Sequence, residues 1–299
     1  MKRYLICAAV VAMFAAACGG GGNVAATVNG SDIQEATVRS LVSADQEMTD
    51  ADFRGVLTAI VEWTAINDAA SADFGIEPTD QEISDYSDGM VTDAGVSRDD
   101  YLTQNQVSEA GFLLYAEQLL IADKVLEIFR PQVATPTAEE AQQALADDPL
   151  SWTTVCASHL LVGTADEANA ALARLDAGED FATVATDVSI DTTSGANGGD
   201  LGCVSPSQWD PDFADAAMNA EIGAVTGPVE TQFGFHLILV TSRTEDTTDE
   251  IISQLADQRL SDLVGGWYLT SVTDAAITVD PQFGTWQTDP APQIVAPES

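Results

Sequence analysis

The chain holds two histidines in 299 residues, and each sits in a short apolar run. The first run is Cys156-Ala157-Ser158-His159-Leu160-Leu161-Val162, and the second is Thr231-Gln232-Phe233-Gly234-Phe235-His236-Leu237-Ile238-Leu239. Between them lies Gly198-Gly199-Asp200-Leu201-Gly202. Runs of this kind read as strands, and paired glycines read as a turn that needs positive φ. An imidazole carried into a sheet core needs a hydrogen-bond partner there. Two strands that each bring one can satisfy both rings at once.

The segment around these runs, residues 153–243, has its own character. Thr153-Thr154-Val155 leads into the first histidine strand. Thr164-Ala165-Asp166-Glu167 has the form of a capping box and opens a helix with Ala168, Ala171, Leu172 and Leu175. A second short helix holds Phe181, Val184 and Ala185. Asp200 to Val204 is a strand, Phe213 to Met218 a third helix, and Val225 to Val229 and Phe235 to Thr241 two more strands. The order strand, helices, strand, helix, strand, strand implies an α+β fold, a small mixed sheet with helices packed on it.

The flanks are helical. In residues 24–150, Val24 to Gly30 reads as a short extended piece ending in an Asn-Gly turn. Phe53, Val56, Leu57, Ile60 and Trp63 follow helical spacing. Thr79-Asp80-Gln81-Glu82 and Thr137-Ala138-Glu139-Glu140 are capping boxes. A long amphipathic stretch from about Val107 to Phe129 stops at Pro131. These stripes read first as core, and second as a groove for a client chain. Residues 244–280 give a helix interrupted at Gly265-Gly266 and a strand near Ile277. Such a piece has too little core to stand alone, so it is expected to dock on the N-terminal helices. That would make the middle domain an insertion. Residues 281–299, rich in Pro, Gln and Asp, read as a disordered tail.

Residues 1–17 read as a targeting segment: Lys2 and Arg3, an apolar run from Leu5 to Phe14, then Ala15-Ala16-Ala17. Cys18 follows directly, in the position of a lipid-modified cysteine, with 18–23 as a glycine tether. Two acyl chains would hold the protein on a membrane; the alternative is plain cleavage with Cys18 unmodified. Either route leads outside the cytoplasm. There Cys156 and Cys203 form an even pair, as a disulfide or as two buried thiols. Ten basic against 48 acidic residues exclude a nucleic-acid partner, because nothing would neutralise phosphates. Contact with anionic lipid would have to depend on the anchor. No Cys-x-x-Cys or His-x-x-x-His spacing exists, so neither metal nor cofactor is expected.

Taken in order, Ser158-His159-Leu160-Leu161, Gly199-Asp200-Leu201-Gly202, Gly227-Pro228-Val229 and Phe233-Gly234-Phe235-His236 resemble the motifs of a parvulin-type peptidyl-prolyl cis-trans isomerase. The flanking helices, with Val279-Asp280-Pro281-Gln282-Phe283-Gly284-Thr285-Trp286, resemble those of exported foldases of the PrsA and SurA type.

The resemblance implies a proline socket of Leu201, Trp209 and Phe213, with Gln208 beside it. Methionine is common in the family where Trp209 stands. His159 and His236 match the paired histidines behind the pocket, linked through hydroxyls such as Thr231. Asp191 falls where the family has cysteine or aspartate facing the substrate carbonyl, with Thr192 as its neighbour. Phe233 takes a position that is serine in some relatives. The stretch Gly163-Thr164-Ala165-Asp166 replaces the basic residues of phosphate-reading relatives, so no phosphate preference is expected.

Each residue also has a plainer role. The histidines can hold two strands in register, Trp209 and Phe213 can be core, and Asp191 can be a solvated acid. The implied partners are unfolded or partly folded exported polypeptides with X-Pro bonds, and the membrane through the lipid anchor. The alternative is a holdase that keeps the parvulin-like fold with little activity. A third reading is an envelope structural lipoprotein without clients.

Overall fold

The structure is a computed structural model that describes residues 23–43 and 47–297. The targeting segment 1–17, Cys18 and all of the tether except Asn23 lie outside the described residues. The chain divides into two compact units. One takes Met1–Val133 and Arg259–Ser299, the other Ala134–Gln258.

In the first unit β1 (Val24–Val28) and β2 (Ser31–Gln34) form a hairpin. Its turn residues Asn29 and Gly30 both have positive φ, 49° and 88°. Asn-Gly suits such a turn because it tolerates the left-handed region at both positions. Five helices follow: α1 (Glu35–Ser40), α2 (Asp50–Phe74), α3 (Asp80–Ala94), α4 (Arg98–Asn105) and α5 (Glu109–Phe129). The Thr79 hydroxyl accepts from the Glu82 amide and the Glu82 carboxylate accepts from the Thr79 amide, so two free helix-end donors are satisfied. Along α2 the spacing of Phe53, Leu57 and Ile60 turns one face into the core, where each is no more than 2% exposed.

The second unit opens with α6 (Ala138–Asp147), whose cap is again a reciprocal Thr137–Glu140 pair. This helix falls in the second unit, although the N-terminal helical region was expected to run to residue 150. Next come β3 (Thr153–Val162), α7 (Ala165–Asp176), α8 (Phe181–Val188), the single turn α9 (Thr192–Gly195) and β4 (Asp200–Val204). Then follow α10 (Pro211–Asn219), β5 (Val225–Thr231) and β6 (Gly234–Glu245). The sheet order is β4-β3-β6-β5.

The α+β class stands, but the expected mixed pairing does not, because every neighbouring pair is antiparallel. A single crossover helix would return the chain for a parallel strand. Here three helices, α7, α8 and the single turn α9, separate β3 from β4, so element order leaves the sense of re-entry open, and the chain re-enters antiparallel. Helices cover both faces. Leu160, Val162 and Leu237 pack with Ala168, Ala171, Phe181 and Val184, while Val155, Ala157, Ile238 and Val240 pack with Phe213 and Ala217.

Helix α11 (Thr248–Thr273) runs unbroken through Gly265-Gly266. Two glycines cost about 2 kcal/mol of helix propensity. Leu260 and Val264 before the pair and Val272 after it are all at most 6% exposed, and that burial carries the helix across. Strand β7 (Ile277–Val279) then pairs antiparallel with β1.

The tail expected over 281–299 is ordered through the described residues to 297. Strands β8 (Thr285–Gln287) and β9 (Gln293–Val295) form a hairpin. Ile294 enters the core of the first unit, with Phe283 and Trp286 packed against it. The Phe283 ring lies 4.7 Å from that of Phe53. Average composition hid three apolar anchors that are enough to fix the segment.

Candidate active site

Period-two alternation puts both imidazoles on one face of the four-stranded sheet. Val155, Ala157 and His159 alternate along β3, as His236, Ile238 and Val240 do along β6, and the aliphatic members of both sets pack towards α10. His159 registers with Ile238, and Leu161 with His236. The histidines are therefore diagonal neighbours on adjacent strands. They are 7% and 5% exposed, and their rings stack with centroids 5.3 Å apart.

The two Nδ1 atoms lie 3.1 Å apart. On its other side His159 Nε2 is 2.9 Å from Asp191 Oδ2 and 2.9 Å from Ser194 Oγ. His236 Nε2 is 2.8 Å from Thr231 Oγ1, which accepts from the Phe233 amide at 3.1 Å. Asp191 caps α9, accepting from the amides of Thr193 and Ser194, while the Ser194 hydroxyl donates to Oδ2 at 2.6 Å. The Ser194 hydroxyl above all, then His159 and the two amides, hold the Asp191 carboxyl down at about 2. Burial, and then the neighbouring His159, press His236 down to about 4.

These contacts admit one directed arrangement of protons. An ionised carboxylate only accepts, so His159 Nε2 carries a hydrogen towards Asp191. With one hydrogen between the two Nδ1 atoms, His159 Nδ1 can accept the Nδ1–H of His236. His236 Nε2 is then the acceptor for the Thr231 hydroxyl. The result is a directed row of donors from the Phe233 amide through Thr231, His236 and His159 to Asp191.

Ser194 is a member of this row that sequence reasoning missed. Its hydroxyl is buried, and its only signal was the spacing Asp191-x-x-Ser194 of a cap residue and the third helical position. Serine, histidine and aspartate together invite an acyl-transfer reading. However, Asp191 and Ser194 share one ring nitrogen, so no base stands behind the hydroxyl on the far side of the ring.

The apolar wall meets the imidazoles directly. The Phe213 ring stands edge-on to His159 at 5.7 Å and to His236 at 5.2 Å. Trp209 is edge-on to Phe213 at 5.1 Å. Leu201 and Trp209, both half-buried, pack on the cluster that holds Phe213. Asp210 caps α10 and Pro211 takes its first position, which aims Phe213 inward. The side-chain amide of Gln232 donates to Asp210 Oδ2 at 3.4 Å, tying the β5–β6 hairpin to the start of this helix.

Phe233 lies at the hairpin tip and is 61% exposed. Gln208 ends the short turn Pro206–Gln208, exposed and next to Trp209, and Thr192 is exposed at the start of α9. Gly199, at φ 84°, presses its backbone against His159: its carbonyl accepts the His159 amide at 2.8 Å, and a Cβ there would collide with the His159 carbonyl. Cys156 and Cys203 register opposite one another on β3 and β4 and are joined as a disulfide. A cavity of about 250 Å³ is lined by Val162, Glu167, Ala171, Arg174, Val188 and Ile190.

Residues 162–242 match the family described as Rotamase: PPIC-type PPIASE domain. That match includes Asp191, Leu201, Trp209, Phe213 and His236, and His159 lies just ahead of it. The chain is 30% identical over 267 residues to foldase protein PrsA of Halalkalibacterium halodurans, covering 86% of this chain and 77% of that one. It is 35% identical over 181 residues to foldase protein PrsA of Clostridium botulinum, covering 56% of this chain and 54% of that relative. Among solved structures, the peptidylprolyl isomerase PrsA of Bacillus anthracis is 22% identical with a TM-score of 0.38, over 72% of this chain and 96% of that one.

Proposed function

This chain belongs to the PrsA family of foldases, and from that premise we propose that the face bearing His159, His236 and Phe213 is where a prolyl bond is turned. The protein is a parvulin-type peptidyl-prolyl cis-trans isomerase and a folding factor for exported proteins. Isomerisation breaks no bond. The barrier of about 18–20 kcal/mol is mostly amide resonance lost as the C–N bond twists. A catalyst has to hold the twisted amide better than either planar form, and each tenfold gain needs only about 1.4 kcal/mol of that preference.

In this reading Leu201, Trp209 and Phe213 grip the proline ring, and Gln208 and Phe233 flank the chain on either side of it. Asp191 is ionised at neutral pH and faces the amide that is turning. A twisted amide has a more basic, pyramidal nitrogen and a carbonyl with less negative oxygen. A nearby carboxylate therefore repels the planar amide's oxygen more than the twisted one's, which lowers the barrier from the ground-state side. His159 and His236 hold Asp191 and Thr231 in place and are positioning residues, with no proton transferred. The observation that carries the reading is the contact of Phe213 with both imidazoles of the row that ends at Asp191. Among the described residues the site carries no cation for phosphate, which supports an unphosphorylated X-Pro segment as substrate.

The domain limits proposed are 153–243 for the isomerase and a helical domain built from both flanks. We further assign the chain an extracytoplasmic location with Cys18 as its lipid anchor. No described helix is long and apolar enough to cross a membrane. The test of the site is cis-to-trans conversion of an unphosphorylated X-Pro peptide by the full chain, alongside Asp191→Ala. Acceleration by the parent chain that falls at least tenfold in the variant supports the assignment; equal rates remove Asp191 from it. Metabolic labelling with a radioactive fatty acid, lost in Cys18→Ala, tests the anchor.

A further inference from the structure

Strand β4 connects the two halves of the site. Upstream it continues from Gly199, whose carbonyl holds the His159 amide. Downstream it leads through Pro206–Gln208 to Trp209 and Phe213. Leu201 of the proposed socket is on the strand itself. Yet β4 is an edge strand of five residues that pairs only with β3. Its ladder is short and irregular: Val155↔Val204 and Cys156↔Cys203, then a register shift before Ser158↔Asp200. A strand held this way opens easily on its own.

The disulfide sits at that irregularity. Cys156 is anchored in the sheet, paired on its other side with Ser242 of β6, and its carbonyl accepts the Thr241 hydroxyl at 3.1 Å. Cys203 is exposed, and Leu201, two residues away, lies on the Phe213 cluster. The bond thus joins an edge strand of the sheet to one of its two central strands, close to the socket, and Cys203 is an exposed residue.

We propose that Cys156 and Cys203 are a positioning pair for the isomerase: their bond clamps β4 so that Leu201 closes the socket, and a dithiol in the surroundings that opens it weakens the hold on proline. The inference rests on the isomerase reading of this site. In the opening step a thiolate of the dithiol attacks Cys203 Sγ, the protein S–S bond breaks and Cys156 leaves as a thiolate. The second thiol of the reductant then displaces Cys203 and closes its own disulfide. The protein gains two thiols, the dithiol loses two electrons, and its two protons pass to the cysteines.

The experiment uses the full chain oxidised, reduced with dithiothreitol, and as the Cys156→Ser, Cys203→Ser double variant. The readouts are KM and kcat on an X-Pro peptide, and amide exchange in β4 and β6. Opening the clamp is expected to raise KM about tenfold and change kcat less than about threefold, because the socket binds planar and twisted forms alike. Exchange should speed up in β4 and stay slow at Leu237 and Ile238. The double variant should match the reduced chain and ignore dithiothreitol. An unchanged KM on reduction would overturn the proposal. So would loss of protection in β4 and β6 together, which marks a staple for the whole fold. An oxidised chain without activity would instead remove the isomerase reading on which it rests.

Discussion

His159 and His236 meet through like atoms, Nδ1 to Nδ1 at 3.1 Å, so one hydrogen serves both nitrogens. A second hydrogen in that gap has no acceptor. Burial, and then the neighbouring His159, hold His236 down at about 4.

An acid limit on stability follows. The unfolded chain protonates His236 near its ordinary 6.5, whereas the folded chain does so only near 4. Between these values the unfolded state binds more protons, so stability rises with pH. The contribution is whole above pH 6.5 and is lost as the pH falls towards 4, about 3 kcal/mol in all. Asp191, ionised down to about 2 against an ordinary 3.8, adds a further loss below that ordinary value. Urea unfolding across this range should show the decline, and His236→Gln should flatten it between pH 6.5 and 4. A variant with the same slope as the parent would contradict the assignment.

Ser194→Ala removes the closest donor to Asp191. The carboxyl should become easier to protonate, and the fold should lose about 1–2 kcal/mol. Carbon-13 NMR of the Asp191 carboxyl through an acid titration reads the first effect, and thermal unfolding the second. A midpoint no higher than the parent's would show that the hydroxyl does not hold the charge.

Gly199→Ala should cost at least about 3 kcal/mol, because the new methyl collides with the His159 carbonyl at a positive φ. Gly202→Ala is the control: its φ of 69° is also positive, but nothing lies within 4 Å of a Cβ there. Its cost should stay near 1 kcal/mol. Equal losses in denaturant midpoint would remove the close approach as the cause.

Phe213→Leu keeps an apolar side chain but removes the ring that packs T-shaped against both imidazoles. The folded variant should retain most of its stability, losing about 1–2 kcal/mol. Its kcat/KM on an X-Pro peptide should fall at least tenfold. Full activity in that variant would show that the ring is only core.

Ile294→Ala opens a hole in the first unit, since Ile294 is 7% exposed among Phe53 and its neighbours. The expected loss is about 2–4 kcal/mol, far more than a disordered tail would give. Chemical denaturation followed by tryptophan fluorescence measures it.

Much of the site was legible because its residues stand in strands. Alternation alone places His159 and His236 on the face of Ala157 and Ile238, and the glycine pair marks the turn beside them. Thr79 and Thr137 were readable as caps because a capping box is a local pattern four residues long. Ser194 was not, because a hydroxyl in a single-turn helix has no periodicity to betray burial. The sense of β4 was hidden as well, since three helices intervene before the chain returns and their order does not set the direction of re-entry. Phe283, Trp286 and Ile294 were masked by prolines and glutamines around them. The two glycines of α11 spoke against a helix that burial at Leu260, Val264 and Val272 sustains.

The pairing of β7 with β1 has a bearing on biogenesis. The helical unit needs a strand from near the beginning of the chain and one from near its end, whereas Ala134–Gln258 is a single uninterrupted stretch. A polypeptide that emerges from its N-terminus onward delivers every residue of the isomerase unit before β7, β8 and β9 arrive. The catalytic unit can thus be complete while the flanking unit still waits for its last strands. In this protein the prolyl isomerase can mature ahead of the part of the molecule that encloses it in sequence.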